Sequence, residues 1–203
     1  MRPNADDRQR LGRMVVNQTV NPFLQARDAL RDHQLIAYPT EAVFGLGCAP
    51  YDEVAVRQLL ALKSRDISKG LILIAADYSQ LLDYVDDQKI GQDVRFKVLS
   101  HWPGHTTLLL PARADVPRFL KGDHDTIAVR VTAFEPARQL CRALGTALVS
   151  TSANRSGEEP CTDAQQVRTV FGDALGWVMD EPVGGAESPS RIINPLTNDV
   201  VRT

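Results

Sequence analysis

Several features that would assign this chain to a special class of protein are missing from it. Cysteine occurs only as Cys48, Cys141 and Cys161, and this odd, widely spaced set does not match a disulfide framework. No run approaches the roughly 18 consecutive apolar residues of a membrane helix. Residues 1–13 are polar and lack the apolar core of a signal peptide. We therefore expect a protein of the reducing cytoplasm that has no membrane partner.

A strong excess of positive charge is also missing, because the formal net charge is -2. Bulk affinity for nucleic acid requires clustered Lys and Arg, so any RNA contact must use a local patch. The usual glycine-rich nucleotide loops are absent as well. Gly45 and Gly47 do not begin a dinucleotide fingerprint, since Pro50 stands where the third glycine belongs, and no Walker loop occurs. If the protein binds ATP, it does so without a P-loop.

The sequence predicts no metal site built from protein side chains. His101 and His105 are four residues apart, but Pro103 and Gly104 between them interrupt the helix that would align them. The other histidines and the cysteines have no companions at ligand spacing. Any metal ion is therefore expected to enter with a substrate.

Composition and element order favour one globular domain over residues 14–203, preceded by a disordered tail over 1–13. The 203 residues are 43% hydrophobic and 24% charged, enough for one sizeable core. Met1 and Met14 both stay open as the start of the native chain. Helical and β-type segments alternate without strict regularity, which predicts an α/β (α+β) fold with a mixed, twisted, open sheet flanked by helices.

Two helix starts are predicted from capping residues. Asn21 is the expected N-cap of a first helix that begins at Pro22 and runs to about His33. Thr162 and Gln165 form a possible capping box for a later helix that ends near Phe171.

A cluster of cations follows the helix that Asp52 is expected to cap. Lys63, Arg65 and Lys69 lie in one short segment between a helix end and a strand. Arginine offers a planar fork and lysine a mobile point charge, a mixture that suits a polyphosphate. The alternative is a solvated helix end favoured by the helix dipole.

Polar residues alternate after the apolar strand predicted at 147–150. If the extended chain persists, Ser150, Ser152 and Asn154 share one face at the carboxyl end of that strand. Ligands of open α/β sheets tend to bind at this edge. An ordinary Ser/Asn-rich turn is the competing interpretation.

Together these segments resemble the YrdC/Sua5 family over nearly the whole chain after the tail. The resemblance rests on motifs in the family's order and spacing. They are YPTEAVFGLG at 38–47, KSR at 63–65 with KGL at 69–71, WPG at 102–104, AVRV at 128–131, and STSAN at 150–154. The chain ends soon after SPSR at 188–191, as in the short bacterial form that lacks the extra C-terminal domain of Sua5.

The resemblance implies a YrdC-like domain that condenses L-threonine, bicarbonate and ATP into threonylcarbamoyl-adenylate and pyrophosphate, with Mg²⁺ accompanying ATP. This adenylate is the precursor of the threonylcarbamoyl group on adenosine 37 of tRNA. The implied partners are tRNA or double-stranded RNA and the proteins of the threonylcarbamoyl-transfer machinery.

The resemblance also implies two groups of site residues. The ATP group, in which Lys63 and Arg65 are the catalytic pair, comprises Lys63, Arg65, Ser68, Lys69, Thr126, Ser152 and Asn154. The threonine group comprises Thr40, Arg130, Ser150 and Ser190. His105 stands where many members have proline, so its role is left open.

Three other functions stay open at this point. One is a non-catalytic factor for double-stranded RNA or ribosome maturation, because a basic groove also suits an RNA backbone. Another is a different carbamoyl transfer, of the kind carried out by hydrogenase-maturation proteins with related domains. The third is an amidohydrolase that pairs Ser150 or Ser152 with Lys63, although no recognised spacing supports it.

Overall fold

The computed structural model describes residues 22–202, in which a mixed β-sheet lies between two layers of helices. The predicted tail at 1–13, the two possible start residues and the Asn21 cap lie outside these residues. Within the described range, no helix is both long enough and apolar enough to cross a membrane.

The strands of the described chain form one sheet in the order β7-β1-β2-β6-β3-β5-β4-β8-β9. Their bounds are β1 Leu35–Pro39, β2 Phe44–Gly47, β3 Ile72–Ala75, β4 Thr106–Pro111, β5 Thr126–Val131, β6 Leu148–Ser152, β7 Leu175–Val178, β8 Arg191–Asn194 and β9 Asp199–Arg202. The pairs β1/β7, β3/β5 and β4/β8 are parallel, and the remaining neighbours are antiparallel. The predicted mixed sheet is confirmed.

Helices cover both faces of this sheet because its central strands are apolar on both faces. The helices are α1 Leu24–Arg31, α2 Glu53–Leu62, α3 Gln92–Ser100, α4 Arg118–Lys121, α5 Glu135–Leu144 and α6 Ala164–Phe171. In β1, Ile36 and Tyr38 join the core under α1 and α5. Leu35 and Ala37 face the opposite core, to which α2, α3, α4 and α6 contribute. This alternation follows from the two-residue period of a strand.

Two predicted helix starts are wrong by a small shift. The first helix begins at Leu24 rather than Pro22, because its first backbone bond joins Arg27 N to Phe23 O. It ends at Arg31, since His33 adopts a left-handed φ of 58°.

The N-cap of the later helix lies one residue beyond the predicted position. Asp163 accepts a hydrogen bond from Gln166 N at 2.8 Å, and the Gln166 side chain accepts one from Thr162 N at 2.9 Å. The carboxylate of Asp163 thus replaces the predicted Thr162 hydroxyl as the cap.

Strand β9 was not predicted. Every residue from Asp199 to Arg202 is exposed, so its two valines produce no inside-outside alternation in the sequence. The strand exists because Asn198, at a left-handed φ of 64°, turns the chain back onto β8. This hairpin brings Arg202 to the functional cavity described below.

Gly47 allows β2 to approach β6 closely. A Cβ atom at this position would lie 2.3 Å from Val149 O and 2.8 Å from the Tyr38 ring. We expect Gly47→Ala to lower the free energy of unfolding by about 1–3 kcal/mol, the usual cost of overpacking. Chemical denaturation measures this change.

Gly91→Ala is the matched control, because its added Cβ would meet no atom within 4 Å and its φ is -62°. It should cost at most about 1 kcal/mol as an N-cap change. Equal losses for the two variants would contradict the packing explanation.

Candidate functional site

A cavity of about 380 Å³ opens where β2, β5, β6, β8 and β9 meet two loops. It gathers most of the side chains that the sequence analysis selected. The predicted site residues in its wall are Thr40, Arg65, Lys69, Thr126, Arg130, Ser150, Ser152 and Ser190. Lys63, Ser68 and Asn154 do not line it.

The wall of this cavity is positively charged. Its basic residues are Arg65, Lys69, His105, Lys121, His124, Arg130 and Arg202. No Asp or Glu lines it among the described residues. The chain as a whole has a formal net charge of -2, so this concentration of cations is local. Such a cavity favours a ligand with several negative charges.

Lys63 lies behind the cavity wall and fastens the loop that follows β6. Its Nζ donates to Ser152 O at 2.7 Å, Asn154 O at 2.5 Å and Asn154 Oδ1 at 2.6 Å. Three acceptors use all three donors of an ammonium group. Burial, followed by the nearby Arg65, lowers the pKa of Lys63 to about 8. The side chain therefore acts on the cavity through the loop.

The predicted face shared by Ser150, Ser152 and Asn154 is only partly present. β6 ends at Ser152, after which the backbone turns and Asn154 N donates to Ser152 O at 3.0 Å. The Asn154 side chain folds back and accepts a hydrogen bond from Ser152 Oγ at 2.6 Å. Asn154 thus supports Ser152 without lining the cavity.

Arg65 reaches the cavity from the segment after α2. Its Nε and Nη2 donate to Gly70 O at 3.2 and 2.8 Å, which fixes the plane of the guanidinium. Burial lowers the pKa of Arg65 from its usual value. Because Nε and Nη2 donate to Gly70 O, Nη1 is the guanidinium nitrogen that we expect to contact a phosphate.

Two loops meet closely at this end of the cavity. Gly70 and Gly122 have left-handed φ values of 63° and 68°, and a Cβ at Gly122 would lie 2.2 Å from Ser68 O. Ser68 itself is used in the loops, because its N donates to Asp66 Oδ1 at 2.8 Å and its O accepts from Asp123 N at 3.1 Å. The close approach places Lys69 and Lys121 in one wall.

Arg130 is a buried cation on β5, four residues and therefore about 13 Å along the strand from Thr126. It is 5% exposed, and its Nη2 lies 3.4 Å from Glu41 Oε2. Its Nε has no hydrogen-bond partner among residues 22–202. Thr40 also lines the cavity, and its hydroxyl donates to Val43 O at 2.7 Å. A buried guanidinium with unused donors is suited to bind a carboxylate.

Ser190 is held by two residues that the sequence analysis missed. Thr107 Oγ1 lies 2.9 Å from Ser190 Oγ, and Arg202 Nη2 donates to Ser190 O at 2.7 Å and to Oγ at 3.1 Å. Arg202 also lines the cavity. Its position depends on the exposed strand β9, for which the sequence carries no periodic signal.

His105 lines the same end as Arg130 and Arg202. Burial chiefly lowers its pKa, the cations Arg130 and Arg202 lower it further, and Glu41 opposes them. The imidazole is therefore biased toward its neutral form at this end of the cavity.

The arrangement does not support the Ser–Lys amidohydrolase considered from the sequence. Lys63 Nζ contacts the backbone carbonyl of Ser152 and not its hydroxyl, which donates instead to Asn154. In the described part of the chain, neither Ser150 Oγ nor Ser152 Oγ is hydrogen-bonded to Lys63. A serine nucleophile needs its base within hydrogen-bond reach.

Comparisons with known proteins agree with this geometry. The family model for Sua5, YciO and YrdC, described as Telomere recombination, matches residues 28–203. A protein of Idiomarina loihiensis named threonylcarbamoyl-AMP synthase is 67% identical over 168 residues, which cover 83% of this chain and 90% of the relative. A protein of the same name from Serratia proteamaculans is 50% identical over 180 residues, covering 89% and 95%.

A solved structure shows the same fold. P. abyssi Sua5 complexed with L-threonine matches with a TM-score of 0.76 and 32% sequence identity, over 83% of this chain and 49% of that chain. The present chain thus spans about half the length of Sua5.

Proposed function

The chain belongs to the Sua5/YciO/YrdC family, and from this premise we propose that it is a threonylcarbamoyl-AMP synthase. It would condense L-threonine, bicarbonate and ATP into threonylcarbamoyl-adenylate and pyrophosphate. The observation that carries the proposal is one cavity whose wall contains Arg65 and Lys69 together with the buried Arg130. Such a cavity can hold a polyphosphate and an amino acid next to each other.

We assign the end formed by Arg65, Lys69 and Thr126 to ATP. Arg65 supplies a planar fork and Lys69 a mobile charge to the phosphates, while the hydroxyl of Ser152 faces the nucleotide. The loops that form this end are held by hydrogen bonds of three residues outside the wall, namely Lys63, Ser68 and Asn154. We thus assign all the predicted ATP residues to the same part of the molecule, although three of them do not line the cavity, namely Lys63, Ser68 and Asn154.

The other end is assigned to L-threonine. Arg130 would bind the carboxylate, and the hydroxyls of Thr40, Ser150 and Ser190 would fix the remaining polar atoms. P. abyssi Sua5, to which this chain is similar, has been solved in complex with L-threonine, which supports threonine as a ligand. A cavity of about 380 Å³ with a buried cation also suits a small ligand better than an RNA backbone, which favours the enzyme over the RNA-binding alternative.

The proposed reaction needs no side-chain nucleophile. The threonine amine attacks the carbon of bicarbonate, a C–N bond forms, and water leaves to give a carbamate. A carbamate oxygen then attacks the α-phosphorus while the bond to pyrophosphate breaks. Negative charge grows on the phosphoryl oxygens, where positioned cations such as Arg65 lower the barrier. Alignment of the reactants in one cavity supplies much of the remaining acceleration.

Mg²⁺ is proposed to accompany ATP rather than to occupy a site built by the protein. The described residues contain no group of three or more His, Cys, Asp or Glu that could hold a metal ion. Among oxygen ligands the wall offers hydroxyls and carbonyls but, within the described residues, no carboxylate, which fits an ion bound mainly by phosphate oxygens and water. Bound in this way, the ion would neutralise phosphate charge.

The cellular setting is also a proposal. We infer a cytoplasmic enzyme whose adenylate is passed to the proteins that transfer the threonylcarbamoyl group to tRNA. The basic residues at the mouth, Lys69 and Lys121, would be the local patch for any contact with tRNA or double-stranded RNA.

Pyrophosphate release from ATP tests the proposed function. Purified protein with Mg²⁺ is expected to release pyrophosphate only when both L-threonine and bicarbonate are present, and L-serine should be a poorer substrate. Release that does not depend on the amino acid would indicate a different nucleotide hydrolysis. Absence of release from folded protein would reject the proposal.

A further inference from the structure

Glu41 is a buried carboxylate that lies behind the cavity wall and contacts Arg130. It is 9% exposed and is not part of the wall. Its Oε1 accepts a hydrogen bond from Thr132 Oγ1 at 2.6 Å, and its Oε2 lies 3.4 Å from Arg130 Nη2. Within residues 22–202, Oε2 has no hydrogen-bond partner. The carboxylate therefore joins a fixed hydroxyl to a cation of the cavity.

Both ends of this contact are anchored to backbone. Thr132 N donates to Ala75 O at 3.1 Å, and Thr132 Oγ1 accepts from Phe134 N at 3.1 Å. On the other side, Glu41 O accepts from Ala186 N at 2.8 Å. The hydroxyl of Thr132 accepts from Phe134 N and donates its single proton to Glu41. The position of the carboxylate is thus set by the sheet.

Arg130 needs this anchor because it is buried with few partners. A buried cation must be paired, and a guanidinium binds a carboxylate well only when its plane is correctly oriented. The only ion pair of Arg130 in the described part of the chain is the one with Glu41. Glu41 balances the charge of Arg130, and its ion pair with Nη2 favours one orientation of the guanidinium.

We propose that Glu41 is the positioning residue that orients Arg130 toward the α-carboxylate of the amino-acid substrate. Glu41 thereby makes the site select amino acids with a free carboxylate. This inference rests on the proposed function and adds a residue that acts through Arg130 without touching the substrate. Thr132 contributes to the same positioning, because its hydroxyl donates to Glu41.

The test is Glu41→Gln, assayed by pyrophosphate release and by calorimetric binding. The glutamine side chain has one acceptor oxygen and no charge. This oxygen can accept the hydrogen bond from Thr132 Oγ1 or face Arg130, but it cannot do both as the two oxygens of a carboxylate do. The KM for L-threonine is expected to rise by about 10–100-fold, the usual cost of losing a group that orients a ligand-binding residue. The KM for ATP should stay near the wild-type value.

A second readout separates orientation from general damage. Wild-type protein is expected to bind L-threonine more tightly than L-threonine amide, which has no carboxylate. Glu41→Gln should lose most of this preference, and Glu41→Asp, which keeps the charge, should restore part of it. A parallel loss of affinity for both compounds, or a rise in both KM values, would overturn the proposal.

Two further variants complete the design. Glu135→Gln removes an exposed carboxylate of α5 that pairs with Arg138 and Arg142, and it should change neither KM nor preference. If Glu41→Gln does not fold, Thr132→Val tests the proposal instead. An unchanged preference of this variant for L-threonine over L-threonine amide would reject the proposed role of Glu41. Wild-type protein without threonine-dependent pyrophosphate release would reject the proposed function itself, which is a different outcome.

Discussion

Replacing Arg65 with alanine is expected to lower kcat/KM for ATP by about a thousandfold, because it removes a preset cation from the charge that grows on the phosphoryl group. The plane of the Arg65 guanidinium is fixed by two hydrogen bonds to Gly70 O. A preset donor costs no reorganisation in the transition state, so its loss falls mainly on the chemical step. Steady-state kinetics with pyrophosphate detection measures the change.

Arg57→Ala is the matched control for this variant. Arg57 lies on the exposed side of α2 and pairs with Glu53, so its loss should leave the kinetics unchanged. Arg65→Lys keeps the charge but lacks the planar fork, and we expect an intermediate rate. A loss smaller than about tenfold for Arg65→Ala would contradict a role in transition-state stabilisation, since one such donor usually contributes about a hundredfold or more.

Replacing Lys63 with methionine is expected to cause a loss of similar size through a different route. The ammonium holds Ser152 O, Asn154 O and Asn154 Oδ1 together, so methionine would remove the group that links these three acceptors. The loop would loosen and Ser152 would leave its position in the wall. We expect kcat/KM to fall by at least about a hundredfold. In hydrogen-exchange measurements, the amides of residues 152–158 should be the first to exchange faster than in the wild-type protein.

The ionisation of Lys63 adds a pH dependence to this prediction. Burial and Arg65 lower its pKa to about 8. Only the protonated form has a donor for each of the three acceptors, so ATP affinity should be present below this pKa and decrease as pH rises through about 8. Titration of ATP binding without amino acid avoids the ionisation of the threonine amine. A flat profile up to high pH would show that the neutral amine holds the loop equally well.

The elements that carry strong local signals were predictable. Apolar runs and capping residues located most strands and helices, and Asp52 caps α2 as expected by accepting from Ala55 N. Eight of the predicted site residues line one cavity, because side chains at strand ends tend to meet. Errors in the helix starts are small, since a cap can shift by one residue without changing the apolar pattern.

The parts that escaped prediction depend on contacts between distant segments. Lys63 is marked as a cation by the sequence, yet its acceptors lie 89 and 91 residues further along the chain. Glu41 meets Thr132 across 91 residues. Arg202 reaches Ser190 only because β9 pairs with β8, and β9 is too exposed to show a pattern. Local periodicity contains no information on such pairings.

The most direct test of the central claim is the identity of the nucleotide product. Purified protein is incubated with ATP, Mg²⁺, L-threonine and isotope-labelled bicarbonate, and the nucleotides are separated and analysed by mass spectrometry. The account predicts threonylcarbamoyl-adenylate that carries the label, formed in equal amount with pyrophosphate. Folded protein that forms no labelled adenylate, and instead binds double-stranded RNA in a salt-dependent way, would contradict the account and favour the RNA-binding alternative.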